Sequence, residues 1–219
     1  MWCVPKLTPE YIERMEHLLD LYALPYTKSE PVVCIDEKSK QLLENTRKTI
    51  LTTKNSDRKV DYEYRRQGTR NIFCAVEPKG GRRRITVTKR RTKADFARFV
   101  HELVLSDYKH ARKVHIVCDN LNTHFPPSFY ETFSKEEADA LLARVQFHYT
   151  PKHASWLDMA EIELSILSRM AIKGRVATET DLIKRLRRYQ RARNAQHATI
   201  TWKFTKADAR RKLKYGVED

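Results

Sequence analysis

HIVCDNLNTHFPP, residues 115–127, decides how this chain folds. A short apolar run, Ile116-Val117-Cys118, stops at Asp119 and gives way to two asparagines, a threonine, a histidine and a pair of prolines. An apolar run of this length bounded by turn formers predicts a buried strand. The carboxylate at its end has two readings. A lone Asp after a strand is commonly a turn former or a helix cap. In open α/β sheets, however, ligands bind beyond the carboxyl ends of strands. A second run ends in the same manner: PVVCIDEKS, residues 31–39, places Asp36 after Cys34-Ile35. If the two strands are neighbours, Asp36 and Asp119 converge.

Converging carboxylates repel, and burying them uncompensated is expensive. A shared proton, a basic partner or a divalent cation resolves the conflict. Hard oxygen ligands suit Mg2+ or Mn2+. Such a site wants a third acid, and SWLDMAEIELSILSR (155–169) offers Asp158, Glu161 and Glu163. Leu157, Ala160, Leu164, Leu167 and Ala171 form its apolar stripe at helical spacing. Glu161 lies beside the stripe with Ser165 and Ser168 further along, and Glu163 lies on the other flank. Periodicity does not choose between the two glutamates, and either one is at home as a solvated helix residue. His124 could orient a phosphate or a water, or bond a loop carbonyl. Asn120 and Asn122 read as turn residues.

Around these motifs the chain predicts a helix over 8–24, capped by Thr8 with Pro9 at its first position. A strand follows at 31–39, and residues 40–70 read as polar and irregular. NIFCAVEP (71–78), KGG (79–81) and RRRITVTKR (82–90) form a hairpin. Helices are predicted over 92–108, over 127–144 in two pieces, over 155–173 with Ser155 and Asp158 as a capping box, over 178–194 and over 206–214. Strands are predicted at 114–119 and 145–150, with an extended segment at 199–204. The order is that of a mixed α/β domain.

The 43 Lys and Arg against 28 Asp and Glu leave a net charge of +15 on 219 residues, which favours a polyanionic partner, above all nucleic acid. Cys3, Cys34, Cys74 and Cys118 form no CxxC pair, so a zinc ribbon is not expected; the last three sit in strand-like runs as small buried hydrophobes. No stretch approaches the length of a membrane span or resembles a secretory leader. With 5 Gly and no Gly-rich phosphate loop, nucleotide-fold readings are excluded.

Taken together, CIDEKS, VTKRRTKADFARFVHELV, VCDNLNTH, FHYTPKHASWLDMAEIELSILSR and ATITWKFTKADARRKL resemble the catalytic region of IS630-type transposases, within the Tc1/mariner group of DDE transposases. The resemblance runs from Met1 to about Lys214. It implies an RNase H-like mixed sheet flanked by helices, with a linker-like helical segment at 1–30, the catalytic domain at 31–214 and a tail at 215–219. It implies Asp36 and Asp119 as the first two acids. The third closes a W-L-N-x-x-E pattern, read here as Trp156-Leu157-Asp158-Met159-Ala160-Glu161, which implies Glu161 over Glu163. Asp158 stands where the family often has Asn. Two Mg2+ ions, with Mn2+ as substitute, are implied on Asp36, Asp119 and Glu161, serving both end cleavage and strand transfer.

Accessory candidates are Asn120, His124, Lys152, His153 and Asp158. Candidate DNA contacts are Arg82, Arg83, Arg84, Lys89, Arg90 and Arg91, and on a later helix Lys184, Arg185, Arg187 and Arg188. The expected partners are transposon-end and target DNA, a second copy of the chain, and a helix-turn-helix module on another chain, because the chain begins at the linker-like helix. The expected setting is a bacterial cytoplasm beside the nucleoid. The competing reading is a catalytically idle DNA-binding or assembly subunit.

Overall fold

The computed structural model describes residues 6–47, 62–121 and 123–216. Cys3 and Asn122 lie outside them. Five strands form one mixed sheet in the order β3-β2-β1-β4-β5. These are β1 (Val32–Asn45), β2 (Tyr64–Glu77), β3 (Arg82–Thr88), β4 (Val114–Cys118) and β5 (Val145–Tyr149). β2 runs antiparallel to both β1 and β3; β4 and β5 join parallel through helical crossovers. β1 and β2 are each 14 residues long, so residues 40–45 and 64–70, expected to be irregular, are strand instead. Their polar character fits that correction: residues 64–69 of β2 are exposed, and in this part of β1 it is Leu42 that is buried, in a cluster with Leu182 and Leu186. Backbone pairing there holds strand geometry with little apolar burial.

The helices cover both faces. On one, α2 (Lys93–Glu102), α3 (Pro127–Tyr130) and α4 (Lys135–Ala143) enclose Phe96, Phe99, Val100, Phe129 and Leu141 against Val33, Ile35, Ile116 and Cys118. The other carries α1 (Pro9–Ala23), α5 (Met159–Met170), α6 (Glu179–Ala195) and α7 (Lys206–Leu213). Here Met15, Leu18 and Tyr22 of α1 pack on Cys34, Val76 and Val117, so this helix is part of the core. The two faces follow from strand alternation: Cys34 points one way, Val33 and Ile35 the other. Cys34, Cys74 and Cys118 are buried free thiols, as expected.

Helix ends follow local chemistry. Thr92 with Asp95, Ser134 with Glu137 and Thr205 with Asp208 form capping boxes, each stabilising by about 1 kcal/mol. The predicted helix over 92–108 widens into a π-turn at Leu103–Asp107, where Asp107 meets Arg82 and Arg84 of β3. At residue 155 the structure departs from the predicted helix start. Ser155–Leu157 is a single 3-10 turn, and Asp158 is the N-cap of α5, its Oδ1 accepting from the Ala160 N–H at 2.8 Å. The later start puts Glu161 in the first helical turn. Residues 199–204 belong to no strand. Among the described residues, no helix is long and apolar enough to cross a membrane.

Candidate active site

β1 and β4 are parallel neighbours, with Cys34 opposite Val117. Two residues further along stand Asp36 and Asp119 on the same face, above α5. Asp119 follows the end of β4, but Asp36 lies within β1, which does not stop there as expected and runs on to Asn45 because β2 pairs with it throughout. Asp36 shares a cleft with Glu161, Ser165, Ser168 and Arg169 of α5 and with Lys38. Asp36 Oδ1 accepts from the Glu37 N–H at 2.7 Å. Burial pushes its carboxyl up to about 7, and the charges of Glu161, Glu37 and Asp119 push the same way against that hydrogen bond.

The two glutamates separate by helix phase. Glu161 is exposed at the cleft. Glu163 is fully buried on the opposite flank: its Oε1 meets Arg83 Nε at 2.8 Å and Tyr189 Oη at 2.6 Å, and its Oε2 accepts from Arg83 at 3.0 Å. Burial alone would raise the Glu163 carboxyl, but Arg83 and Tyr189 outweigh it and hold it below its usual value. Glu163 is therefore a core ion-pair residue and Glu161 the acid facing the cleft. Asp158 is buried behind the site, and one of its oxygens, Oδ2, has no hydrogen-bond partner among the described residues. Burial pushes its carboxyl far up, helped by the charge of Asp36.

His124 meets a loop carbonyl, as one of its two readings expects, its Nδ1 lying 3.2 Å from the Asp119 backbone oxygen, but it also bridges two acids. It is wholly buried, its Nε2 2.8 Å from Glu37 Oε1 and its Nδ1 2.7 Å from Asp119 Oδ1. Burial opposes charge on the ring, but hydrogen bonds to Asp119, Cys118 and Glu37 prevail and lift its pKa to about 12. Sequence reasoning overlooks Glu37. The available signal is its place in β1, one residue past Asp36 and thus on the face of Val33 and Ile35, where an acid needs a partner. Asn120, Lys152 and His153 are at least partly exposed, His153 with φ of 64°.

The basic candidates divide. Arg83, expected on a DNA-facing strip, is buried against Glu163 and presents no surface. Arg82 and Arg84 are paired with Asp107, and Arg84 also with Glu102. Lys89, Arg90, Arg91, Lys184, Arg187 and Arg188 are exposed, while Arg185 pairs with Asp181.

Among the described residues, no three acidic, histidine or cysteine side chains stand close enough to enclose an ion. Asp36 and Glu161 line the cleft without closing it, and Asp119 stands near enough for its charge to act on Asp36. Their chemistry nonetheless fits a hard divalent cation: every donor is a carboxylate oxygen, and the charges around Asp36 that shift its titration are all negative.

Residues 31–183 match the family described as DDE superfamily endonuclease. No curated protein matches the chain. Among solved structures, the Mos1 mariner paired end complex with Mn is similar over 90% of this chain and 60% of that one, at TM-score 0.58 and 14% identity. For the Mos1 strand transfer complex the values are 88%, 57%, 0.57 and 14%. The catalytic domain of Mos1 mariner transposase is similar over 90% of this chain and 89% of its own, at 0.56 and 12%. At these identities the likeness is one of fold, the RNase H-like mixed sheet flanked by helices. The chain spans less than two thirds of the chains in the two complexes.

Proposed function

Because this chain belongs to the DDE superfamily endonuclease family, we propose that it is the catalytic domain of a DNA transposase of the Tc1/mariner group, IS630 type, with its domain at residues 31–214. The observation that carries this reading is the parallel pairing of β1 with β4, which brings Asp36 and Asp119 to neighbouring positions, with Glu161 in the same cleft as Asp36. In this reading Asp36, Asp119 and Glu161 would hold two Mg2+ ions, with Mn2+ able to replace them. A bound ion of this kind supplies a water of lowered pKa and charge stabilisation at the phosphate.

The chain's own groups do the rest. Asp36 feels the charges of both Glu161 and Asp119 and would serve both ion positions. Asp158 caps α5 and so fixes where Glu161 enters the cleft. Lys38 and Arg169 border the cleft and hold phosphate oxygens, and Asn120, Lys152 and His153 lie beyond the strand ends for the same work. Lys89, Arg90, Arg91, Lys184, Arg187 and Arg188 contact the DNA backbone. The same site cuts transposon ends and joins them to target DNA. Two copies bridge two ends, and a helix-turn-helix module reads the terminal repeat, in a bacterial cytoplasm beside the nucleoid.

The test is nicking of supercoiled DNA in Mg2+ or Mn2+ by the wild type and by Asp119→Asn. Cation-dependent nicking abolished in the variant supports the proposal. Equal nicking by both identifies a contaminating nuclease and rejects it. Cation-independent DNA binding with no nicking in either protein favours the idle assembly subunit.

A further inference from the structure

We propose that His124 is a positioning residue: by bridging Glu37 and Asp119 it fixes the Asp119 carboxylate so that Oδ2 alone is offered to a divalent cation. The inference rests on the reading of Asp119 as a metal ligand. His124 cannot itself touch DNA or a water in the cleft. Its side chain is 0% exposed, with its ring 4.3 Å from that of Phe96 between centroids. Its backbone is fixed from both sides: its N–H donates to the Leu121 carbonyl at 2.9 Å, and Tyr149 Oη donates to its carbonyl at 2.9 Å. Ser128 Oγ, donating to the Thr123 carbonyl at 2.9 Å, ties down the residue before it. A ring held in this way cannot swing out.

Asp119 Oδ1 is engaged by the His124 ring at 2.7 Å and accepts from the Leu121 N–H at 3.3 Å. The Asp119 side chain is 38% exposed, so the carboxylate is held at one oxygen while still open to solvent. The other end of the bridge is Glu37, whose side chain is 1% exposed. Glu37 therefore orders both acids. Its backbone N–H binds Asp36 Oδ1, and its side chain, through His124, holds Asp119 Oδ1. Strand alternation makes this possible, because residue 37 reaches the face of the sheet where His124 is packed while residue 36 stays on the cleft side. Groups that orient a metal ligand in this manner typically change metal affinity about 10–100-fold when removed.

The experiment is Mn2+ titration of the full chain followed by electron paramagnetic resonance, with circular dichroism melts to confirm folding. The proteins are the wild type, Asp119→Asn, and His124→Asn, His124→Gln and His124→Phe. Asn keeps a donor at the Nδ1 position, facing Asp119; Gln keeps one at the Nε2 position, facing Glu37; Phe keeps the ring against Phe96 and no donor. We expect Phe and Gln to weaken Mn2+ binding about tenfold or more, and Asn to recover most of that loss. If the Phe variant does not fold, the Asn and Gln pair decides. Equal affinity in the wild type and the His124 variants, or equal loss in Asn and Gln, overturns the proposal. Wild-type affinity in Asp119→Asn would overturn the metal reading beneath it, a separate result.

Discussion

Asp36 is largely buried within β1 with acids around it, and Glu163 is buried at mid-helix with bases around it; their environments give opposite predictions. Removing the charge at Asp36 relieves repulsion in the metal-free protein. Asp36→Asn should raise the melting temperature measured in chelator, by on the order of 1 kcal/mol of stability, while abolishing nicking. Added Mn2+ should then stabilise the wild type and not the variant. Glu163→Ala instead leaves Arg83 buried without its carboxylate partner. Urea unfolding should show a loss of about 3–5 kcal/mol. Asp36 and Asp119 are legible in the sequence because each closes an apolar run, although β1 continues past Asp36. The division between Glu161 and Glu163 is not, because it depends on Arg83 and Tyr189, which come from 80 residues earlier and 26 residues later in the chain.

At the scale of elements, the β2–β3 turn and the packing of α1 carry the clearest tests. Gly81 has φ of 69°, and a Cβ there would lie 2.6 Å from the carbonyl carbon of His197. Gly81→Ala should therefore cost about 1–3 kcal/mol in denaturant unfolding. The close approach explains why a glycine is needed, since the segment after α6 crosses the turn too closely for a side chain. His148 of β5 joins His17 of α1 at 2.8 Å and His115 of β4 at 2.9 Å. Burial and then the charges of His115 and His17 lower its pKa from 6.5 to about 4. The unfolded chain takes up this proton near pH 6.5 and the native protein only near pH 4, so the contribution is complete above 6.5 and disappears as pH falls toward 4. The stability gap between wild type and His148→Gln should narrow between about pH 7 and 4.5 in urea titrations. Helices with strong caps, such as α2 and α7, are legible in the sequence because the capping residues mark their starts. The long β1–β2 hairpin is not, because its outer half is largely polar on both faces and alternation gives little signal there.

At the scale of the molecule, the net charge of +15 divides between interior and surface. Some of the basic residues sit in internal pairs, as with Arg83 and Arg84, and others are exposed on α6 and after β3. Arg187→Ala with Arg188→Ala should weaken binding to DNA of any sequence. It should also flatten the plot of log K against log salt by about 0.9 for each phosphate no longer neutralised. The central claim is that Asp36, Asp119 and Glu161 form one cation site where β1 runs past the carboxyl end of β4. Anomalous scattering from crystals soaked in Mn2+ tests it most directly. The account predicts manganese peaks between Asp36 and Asp119 and beside Glu161. Manganese absent from that cleft and bound instead among Glu10, Glu13, Glu16 and Asp20 of α1 would contradict it.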